Sequence, residues 1–289
     1  MSYLLAIDGG GTKTAGVLQA VTNGQRWQAV SGPAQLTNDL QQALINVRSL
    51  VQDLCRQAGI SPAAITAVIG LAGAGNPALH KAFSQQLALP FARWQLTTDA
   101  RTSLYGANQG KPVAVVAIGT GSVAMRLEAD GTELQVGGWG FNIGDEGGGA
   151  WLGRELVREL LWQLDWQKPF TPLFSAVAAR CGKDAASLLP WLKQATASDF
   201  AALAPLVYQY ASEPAAQRLQ ARQADAINQL ALCCLAGQDL PLVLLGGLAT
   251  ACAAQLSPLL QQRLHAASGD ALTGGLVLAQ ALATAPSEA

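Results

Sequence analysis

Residues 3–14 read Tyr-Leu-Leu-Ala-Ile-Asp-Gly-Gly-Gly-Thr-Lys-Thr, and this stretch decides the fold. Tyr3 to Ile7 is an apolar run of buried-strand length, and a second apolar run follows from Ala15 to Val21. The three glycines between them carry no Cβ atom and permit positive φ angles, so successive N–H groups can converge on an anion such as phosphate. The pattern predicts a strand, a phosphate-binding turn and a strand; a plain β-hairpin with a glycine-rich turn is the alternative.

Asp8 stands at the start of this turn, where a carboxylate would repel a bare phosphate. A divalent cation between the two resolves the conflict, because Mg²⁺ is held by one or two carboxylates, waters and phosphate oxygens. Asp8 is therefore predicted to act on Mg²⁺ in a nucleotide site. Two common nucleotide motifs do not fit: the Walker pattern needs glycine where Thr12 stands, and the dinucleotide spacing needs glycine or alanine where Thr14 stands.

The same unit recurs further along the chain. Val113 to Ile118 is an apolar strand, Gly119-Thr120-Gly121-Ser122 is the turn, and Val123 to Leu127 is a second strand. Aligning Gly9 with Gly119 indicates an internal duplication. The spacing from Gly119 also satisfies the dinucleotide fingerprint, but the residues that follow predict a strand and not the helix which that motif must open. Two such hairpins can grip the two ends of a triphosphate.

Composition and length limit the class of protein. The chain has 289 residues, of which 50% are hydrophobic and 13% are charged, and its net charge is −1. A chain of this length favours two domains, expected at 1–109 and 110–289, with a last helix at about 271–284 that packs back toward the first. The charge balance argues against nucleic-acid binding, and the low charge favours a homodimer. Five cysteines without metal spacing, and no signal peptide or membrane span, predict a cytoplasmic protein.

Polar residues at strand and helix ends are further site candidates. Asp99 follows a predicted strand from Trp94 to Thr98, at the edge where ligands bind in an α/β sheet, although it can equally cap the helix that follows. Asn38 lies before a predicted helix and is either a cap or a ligand contact. Gly73 and Gly75 follow a buried strand from Ile65 to Leu71 and indicate close backbone approach.

A glycine-rich segment follows the second hairpin. Seven glycines lie between residues 137 and 149. Ordering so many glycines costs backbone entropy, so the segment is expected to shape a site, with Asp145 and Glu146 as candidate ligand contacts; a solvated turn is the alternative. Beyond it the pattern predicts mostly helices, including one at 200–211 and one at 214–235, and a buried strand from Leu242 to Leu245 that ends at Gly246 and Gly247.

The chain resembles the amino-sugar kinases of the BadF/BadG/BcrA/BcrD ATPase family, in the actin/hexokinase/Hsp70 superfamily, and especially N-acetylglucosamine and bacterial glucosamine kinases. The resemblance covers the chain nearly end to end. It rests on five motifs in order: Asp8-Gly9-Gly10-Gly11-Thr12-Lys13-Thr14; Thr97-Thr98-Asp99-Ala100; Gly119-Thr120-Gly121-Ser122; Gly137-Gly138-Trp139-Gly140 with Gly144-Asp145-Glu146-Gly147; and Leu245-Gly246-Gly247-Leu248.

The resemblance implies an α/β fold of two ribonuclease-H-like (actin-like ATPase) domains with a deep cleft between them. It implies a kinase that uses ATP and Mg²⁺, in which Asp99 is the general base for the sugar 6-hydroxyl and Asp8 acts on the metal. Phosphate and adenosine contacts are implied at Gly9, Gly10, Gly11, Thr12, Lys13, Gly119, Thr120, Gly121, Ser122, Gly246 and Gly247. Sugar contacts are implied at Asn38, Gly73, Gly75 and Asp145.

Three function classes remain open from sequence alone. The first is an amino-sugar kinase, with N-acetylglucosamine as the expected acceptor and glucosamine as the alternative. The second is an ATPase activator of a radical dehydratase, which the same family contains and which needs cysteines for an iron–sulfur cluster. The third is a non-catalytic sugar sensor.

Overall fold

The structure, a computed structural model, describes residues 2–286. The described chain forms two compact units: residues 2–113, 127–132 and 266–286 belong to the first, and residues 114–126 and 133–265 to the second. Each unit contains one β-sheet with helices packed on it. The predicted α/β class is confirmed by these two mixed sheets. The domain boundary expected at residue 109 stays a prediction.

The strands and helices follow one another along the chain with short connections. The strands are β1 (Tyr3–Gly9), β2 (Thr14–Ala20), β3 (Arg26–Ser31), β4 (Ile65–Leu71), β5 (Arg93–Thr97), β6 (Val113–Ile118), β7 (Ser122–Leu127), β8 (Glu133–Gly137) and β9 (Leu242–Leu245). The α-helices are α1 (Leu40–Ala58), α2 (Pro77–Gln86), α3 (Asp99–Ala107), α4 (Gly149–Asp165), α5 (Pro172–Cys181), α6 (Ala185–Gln194), α7 (Ala197–Ala201), α8 (Ala204–Gln209), α9 (Pro214–Leu235), α10 (Ala249–Ala253), α11 (Pro258–Gln261) and α12 (Ala271–Thr284).

The sheet of the first unit has the order β3-β2-β1-β4-β5. β1 pairs antiparallel with β2 and parallel with β4, so it is central and buried on both faces. Because side chains alternate along a strand, Leu5 and Ile7 join the core under α1, whereas Leu4 and Ala6 join the core under α12. The helices on both faces leave the ends of β1 and β4 as the place where the glycine turns emerge.

Glycines let α12 pack closely against α3. A Cβ atom on Gly274 would overlap the Thr102 carbonyl oxygen, and one on Gly106 would overlap the Asp270 carbonyl oxygen. Larger side chains at these positions would force the helices apart, because packed cores hold few voids. The close crossing fixes α3, the helix that begins at Asp99, against the sheet.

The sheet of the second unit has the order β8-β7-β6-β9, with β6 and β9 parallel. This order matches β3-β2-β1-β4 strand for strand, as the duplication of the glycine turn indicates. A buried cluster that includes Val116, Ile227 and Leu242 packs α9 on this sheet. A second cluster, around Leu156, Phe174 and Leu206, joins the helices α4 to α9.

The helix predicted at 200–211 is wrong in its bounds. α7 begins earlier, at a capping box formed by Thr196 and Asp199, and α8 begins separately at Ala204 with Pro205 in its first turn. Proline has no N–H to continue a helix from the preceding turn, which explains the break. β8, α10 and α11 were not predicted as separate elements. Among the described residues, no helix is both long and apolar enough to cross a membrane.

Candidate active site

The first glycine turn, residues 9–13, joins β1 to β2. A Cβ atom on Gly9 would lie 2.5 Å from Leu71 Cδ2 and one on Gly11 would lie 2.8 Å from Gln35 Oε1, whereas one on Gly10 would meet no atom within 4 Å. None of these three described glycines has a positive φ, so the conformational reason expected from the sequence is wrong. Crowding by Leu71 and Ala34 favours glycine at position 9, whereas at position 11 only the end of the Gln35 side chain would have to move, and position 10 has free space.

The polar residues that follow the turn differ in exposure. Thr12 and Lys13 are exposed, so both remain accessible to a ligand. Thr14 is buried, and its hydroxyl donates to the Gly32 carbonyl at 2.7 Å. Thr14 therefore holds the strand pair together, and only Thr12 and Lys13 of the motif present polar side chains outward.

Asp8 lies at the carboxyl end of β1, beside Ala15 on one side and Gly70 on the other. Burial raises the pKa of its carboxyl to about 6, and the negative charges of Asp99 and Asp270 add to that rise while Lys13 opposes it. Three acids thus share one region of the first unit. The shift means that an added positive charge near Asp8 would be strongly favoured.

Asp99 is the first residue of α3. The cap of this helix is Thr98, whose hydroxyl accepts the Arg101 N–H at 3.1 Å, so the alternative that Asp99 is the N-cap is not what the structure shows. The Asp99 carboxylate accepts the Ala100 N–H at 3.0 Å. Burial raises the pKa of Asp99, against the lowering effect of that hydrogen bond. A carboxylate with a raised pKa is a stronger base.

Asn38 lies in the loop before α1, whose N-cap is Asp39. The side chain of Asn38 is exposed, and its Nδ2 donates to Gln35 Oε1 at 3.4 Å. Since Asp39 fills the cap role, Asn38 is left as a polar group at the surface of the first unit. The sequence analysis did not predict that Gln35 lies beside Asn38 and Gly11. Gln35 is in an irregular loop, where no periodic pattern indicates its position.

Gly73 and Gly75 lie in the turn after β4. A Cβ atom on Gly73 would lie 3.0 Å from Thr37 Cγ2, and one on Gly75 would lie 3.6 Å from Thr98 Cγ2. The turn therefore runs between the loop of Asn38 and the start of α3. The first unit brings together the candidates Asp8, Asp99, Asn38 and both glycines.

The second glycine turn joins β6 to β7. Gly119 and Thr120 are exposed, and a Cβ atom on Gly119 would meet nothing within 4 Å. The carbonyl groups of these two residues accept the N–H groups of Gly149 and Ala150, each at 2.8 Å. Ser122 is buried, and its hydroxyl donates to the Glu146 carbonyl at 2.7 Å. The turn is thereby fixed to the start of α4 and to the glycine-rich segment.

The adenosine motif follows β9. Gly246 has a φ of 96°, and a Cβ atom there would overlap the Ile118 carbonyl oxygen, so only glycine fits. A Cβ atom on Gly247 would meet nothing within 4 Å. Gly246 thus brings the chain against β6, and Gly247 leaves open space.

Asp145 lies in the glycine-rich segment with a φ of 60°, in the left-handed region. Its Oδ1 accepts the Gly140 N–H at 3.0 Å, and its other carboxylate oxygen lies where a side chain on Gly121 would stand. Burial raises the pKa of Asp145, and the charge of Glu146 adds to the rise. A cavity of about 340 Å³ adjoins these residues, lined by Ser122, Gly137, Asp145, Glu146, Ala226, Gln229 and Leu230. The segment is therefore built into the second unit beside the phosphate turn.

Two further residues lie near these motifs, and no pattern in the sequence indicated either of them. Asp270 caps α12 through the Thr273 N–H and adds its charge to the surroundings of Asp8. Gln223 lies in the middle of α9, is fully buried and donates to the Gly147 carbonyl at 2.7 Å. Only the packing of distant segments places either of them near the motifs.

Comparison with known protein families identifies the family of the chain. Residues 5–282 match the BadF/BadG/BcrA/BcrD ATPase family. The chain belongs to that family. The resemblance stated from the motifs is therefore confirmed, over nearly the whole length that the motifs span.

Individual proteins are also similar to this chain over most of their length. The glucosamine kinase GspK of Vibrio cholerae is 31% identical over 96% of this chain and 96% of its own length. The N-acetyl-D-glucosamine kinase of Dictyostelium discoideum is 27% identical over 79% of this chain and 74% of its own length. A solved structure from Chromobacterium violaceum, assigned provisionally as an N-acetylglucosamine kinase, is 36% identical, covers 97% of this chain and 99% of its own, and has a TM-score of 0.87.

Proposed function

We propose that this BadF/BadG/BcrA/BcrD family member is a sugar kinase that transfers the γ-phosphate of ATP to the 6-hydroxyl of an amino sugar. The observation that carries the proposal is the state of Asp99. Thr98 takes the capping role at α3, which leaves the Asp99 carboxylate partly desolvated, with a raised pKa, beside the turn of Gly73 and Gly75. This is the arrangement that a general base for an alcohol requires.

Asp99 would accept the proton of the attacking 6-hydroxyl. Phosphoryl transfer demands little covalent chemistry from the protein, so positioning and one well-placed carboxylate are the main requirements. Asn38, Gly73 and Gly75 of the first unit would meet sugar hydroxyls. Asp145 would supply a carboxylate contact to the sugar, and its Oδ1 accepts the Gly140 N–H at 3.0 Å.

The residues around Asp8 fit a divalent cation. Asp8 is desolvated, and the negative charges of Asp99 and Asp270 act on it. A cation bound near Asp8 would reduce the repulsion among these three carboxylates. The described residues contain no cluster of three or more acids, histidines or cysteines arranged to hold a metal ion. Mg²⁺ usually keeps several waters and is bound by one or two carboxylates, so Asp8 alone would be enough to hold it beside phosphate. When bound, Mg²⁺ would neutralise phosphate charge; Asp8 would hold it, through water.

The two glycine turns would bind the phosphates of ATP. Gly9, Gly10 and Gly11 would let a phosphate approach the backbone without side chains, although the Gly10 N–H donates to the Lys13 carbonyl at 3.1 Å. Thr12 and Lys13 would add an exposed hydroxyl and an ammonium. Gly119, Thr120, Gly121 and the backbone of Ser122 would act in the same way in the second unit. Gly246 and Gly247 would let the adenosine approach the backbone closely.

N-acetylglucosamine is the acceptor expected from the sequence, and glucosamine is the alternative. A protein that matches over 96% of both chains is named a glucosamine kinase, so both sugars belong in the first substrate panel. The deciding experiment is a panel of glucosamine, N-acetylglucosamine, N-acetylmuramic acid and glucose in a coupled assay of ADP release with Mg²⁺ and ATP. Phosphorylation of one or both glucosamine derivatives at kcat/KM at least tenfold above glucose is the expected result. ADP release that no sugar accelerates would contradict the proposal.

The radical-dehydratase activator is a competing class that a simple measurement separates. Such an activator carries an iron–sulfur cluster on cysteines. We expect the protein, purified without oxygen, to be colourless and to contain no stoichiometric iron. A brown protein with several iron atoms per dimer would favour the activator. A cytoplasmic location remains part of the proposal.

A further inference from the structure

One face of α9 packs along the glycine-rich segment. Gln223, Ile227 and Leu230 are spaced by four and three residues, so they lie on the same side of the helix. A Cβ atom on Gly147 would lie 2.6 Å from Ile227 Cδ1, and one on Gly137 would lie 3.0 Å from Leu230 Cδ1. Both ends of the segment therefore lie against this face, and Gln223 is its polar member.

Gln223 is fully buried and uses both ends of its amide. Nε2 donates to the Gly147 carbonyl at 2.7 Å, and Oε1 accepts a hydrogen bond from the Tyr208 hydroxyl. Burial raises the pKa of Tyr208, so its hydroxyl remains a donor at neutral pH. A buried amide is costly unless both ends are bonded. Tyr208 therefore fixes which way the amide of Gln223 points.

The hydrogen bond from Gln223 is made to the turn of residues 145–147, whose backbone conformation is unfavourable without such bonds. Asp145 has a φ of 60° and Gly147 a φ of 82°, and both values cost backbone free energy or entropy to maintain. Three successive carbonyl groups are each bonded: Asp145 O by the Gly148 N–H at 3.0 Å, Glu146 O by Ser122 Oγ at 2.7 Å, and Gly147 O by Gln223. Gly148 belongs to the same segment, Ser122 comes from β7 in the sheet, and Gln223 comes from α9 behind the turn.

We propose that Gln223, oriented by Tyr208, is a positioning residue that holds the turn from Asp145 to Gly147 and so sets the direction of the Asp145 carboxylate toward the sugar. The inference rests on the proposed function, because it takes Asp145 as a sugar contact. Gln223 itself touches no substrate. Its effect should be larger on sugar binding than on ATP binding, since the phosphate turn has its own bonds to Gly149 and Ala150.

The test compares Gln223→Met, Tyr208→Phe and the control Gln217→Met in the full chain. Gln217 lies on the same helix with an exposed side chain, so the control makes the same chemical change away from the turn. Calorimetry without nucleotide gives the dissociation constant for whichever of glucosamine and N-acetylglucosamine the wild type phosphorylates. Steady-state kinetics give the KM for ATP, and circular dichroism reports folding.

We expect Gln223→Met to raise the sugar dissociation constant roughly tenfold and the KM for ATP less than threefold, because a small displacement of a contact residue has a large effect. Tyr208→Phe should raise the dissociation constant for the sugar roughly threefold, since Gln223 keeps its hydrogen bond to Gly147 but loses the hydroxyl that orients its amide. Gln217→Met should match the wild type.

Unchanged sugar binding in a folded Gln223→Met variant would overturn the inference, and so would equal losses of sugar and ATP binding. If Gln223→Met does not fold, Tyr208→Phe decides: sugar binding equal to that of the wild type overturns the inference. These outcomes leave the proposed function intact. A wild-type protein that phosphorylates neither amino sugar would instead remove the proposed function, and this inference with it.

Discussion

At the amino terminus of α3, the adjacent residues Thr98 and Asp99 have different partners. The Thr98 hydroxyl accepts the Arg101 N–H, whereas the Asp99 carboxylate is bonded by backbone N–H groups alone among the described residues. A helix needs one side-chain cap at this point, and threonine provides it. The carboxylate is then available for proton transfer, with a pKa raised by burial.

Replacement of Asp99 by asparagine should lower kcat by about 10³-fold with little change in the KM for sugar, because it removes a base and keeps a polar side chain of the same size. Steady-state kinetics with the accepted sugar measure both constants. The matched control is Asp39→Asn, where an acid caps α1 and asparagine caps equally well, so activity should persist. A kcat of Asp99→Asn within tenfold of wild type would remove Asp99 from the mechanism.

Asp8 should also affect stability in a pH-dependent way. Its pKa is raised to about 6 in the folded state, so the folded protein binds a proton more tightly than the unfolded chain between about pH 4 and pH 6. The favourable effect of protonated Asp8 is full at low pH and is lost as pH rises through 6. At pH 7 the ionised Asp8 therefore destabilises the metal-free protein.

Asp8→Asn should thus stabilise the protein relative to wild type more at pH 7 than at pH 4.5. The gain in the free energy of unfolding should be about 1–2 kcal/mol larger at pH 7, measured by urea unfolding in metal-free buffer. Asp130→Asn is the control, because a hydrogen bond from the Thr132 N–H lowers the pKa of Asp130, so this carboxyl is mostly ionised at both pH values and its replacement should have the same effect at both. An Asp8→Asn effect that is equal at both pH values would show that Asp8 is not desolvated as described.

At the scale of elements, the turn between β1 and β2 contains glycines that have different neighbours. A Cβ atom on Gly9 would press on Leu71, whereas one on Gly10 would meet nothing within 4 Å. Neither position has a positive φ, so alanine is compatible with the backbone at both. Protein packing requires glycine at position 9, and the open space at position 10 suits a ligand.

Gly10→Ala should keep the melting temperature of the wild type within about 2 °C and raise the KM for ATP at least fivefold, since its methyl group would occupy space proposed for phosphate. Gly9→Ala is the paired variant, and it should lower the melting temperature because Leu71 must move. Thermal unfolding and ATP kinetics are measured on both proteins. A Gly10→Ala enzyme with unchanged ATP kinetics would show that this turn does not approach the nucleotide.

At the scale of the whole molecule, the low charge content has a counterpart on the surface. Only 13% of residues are charged, and Trp162 and Trp166 are 48% and 59% exposed, with ring centroids 5.4 Å apart. Leu189 is 65% exposed as well. Large apolar side chains in contact with water are typical of surfaces that associate.

We therefore expect a homodimer. Light scattering on the purified protein should give a mass near twice 29.9 kDa at micromolar concentration. Trp162→Gln combined with Trp166→Gln should shift the mass toward the monomer if these rings form the interface. A wild-type mass of 29.9 kDa across the concentration range would contradict the expectation.

The predicted strands were the most reliable part of the sequence analysis. Ile65–Leu71, Val113–Ile118 and Leu242–Leu245 have the predicted bounds, because each is an apolar run that ends at or near a glycine. The helix at 200–211 was mispredicted, since its apolar content is continuous while Pro205 and the cap at Thr196 divide it. The proline and the capping residue are both local signals, and they outweigh the continuous apolar pattern there.

The sequence by itself determined the duplicated strand–turn–strand units, the order of the motifs and the family, because glycines and acids at strand ends are visible without coordinates. Only the tertiary structure decided which side chains are used in hydrogen bonds and helix caps within the protein and which can still contact a ligand. Thr14 and Ser122 donate to backbone carbonyls, Asp39 and Thr98 cap helices, and Asp99 and Asn38 are left available. The surroundings of Asp8 and the role of Gln223 depend on segments far apart in sequence, Asp270 and Gly147 among them. Burial and charge act through space, so a linear pattern cannot report them.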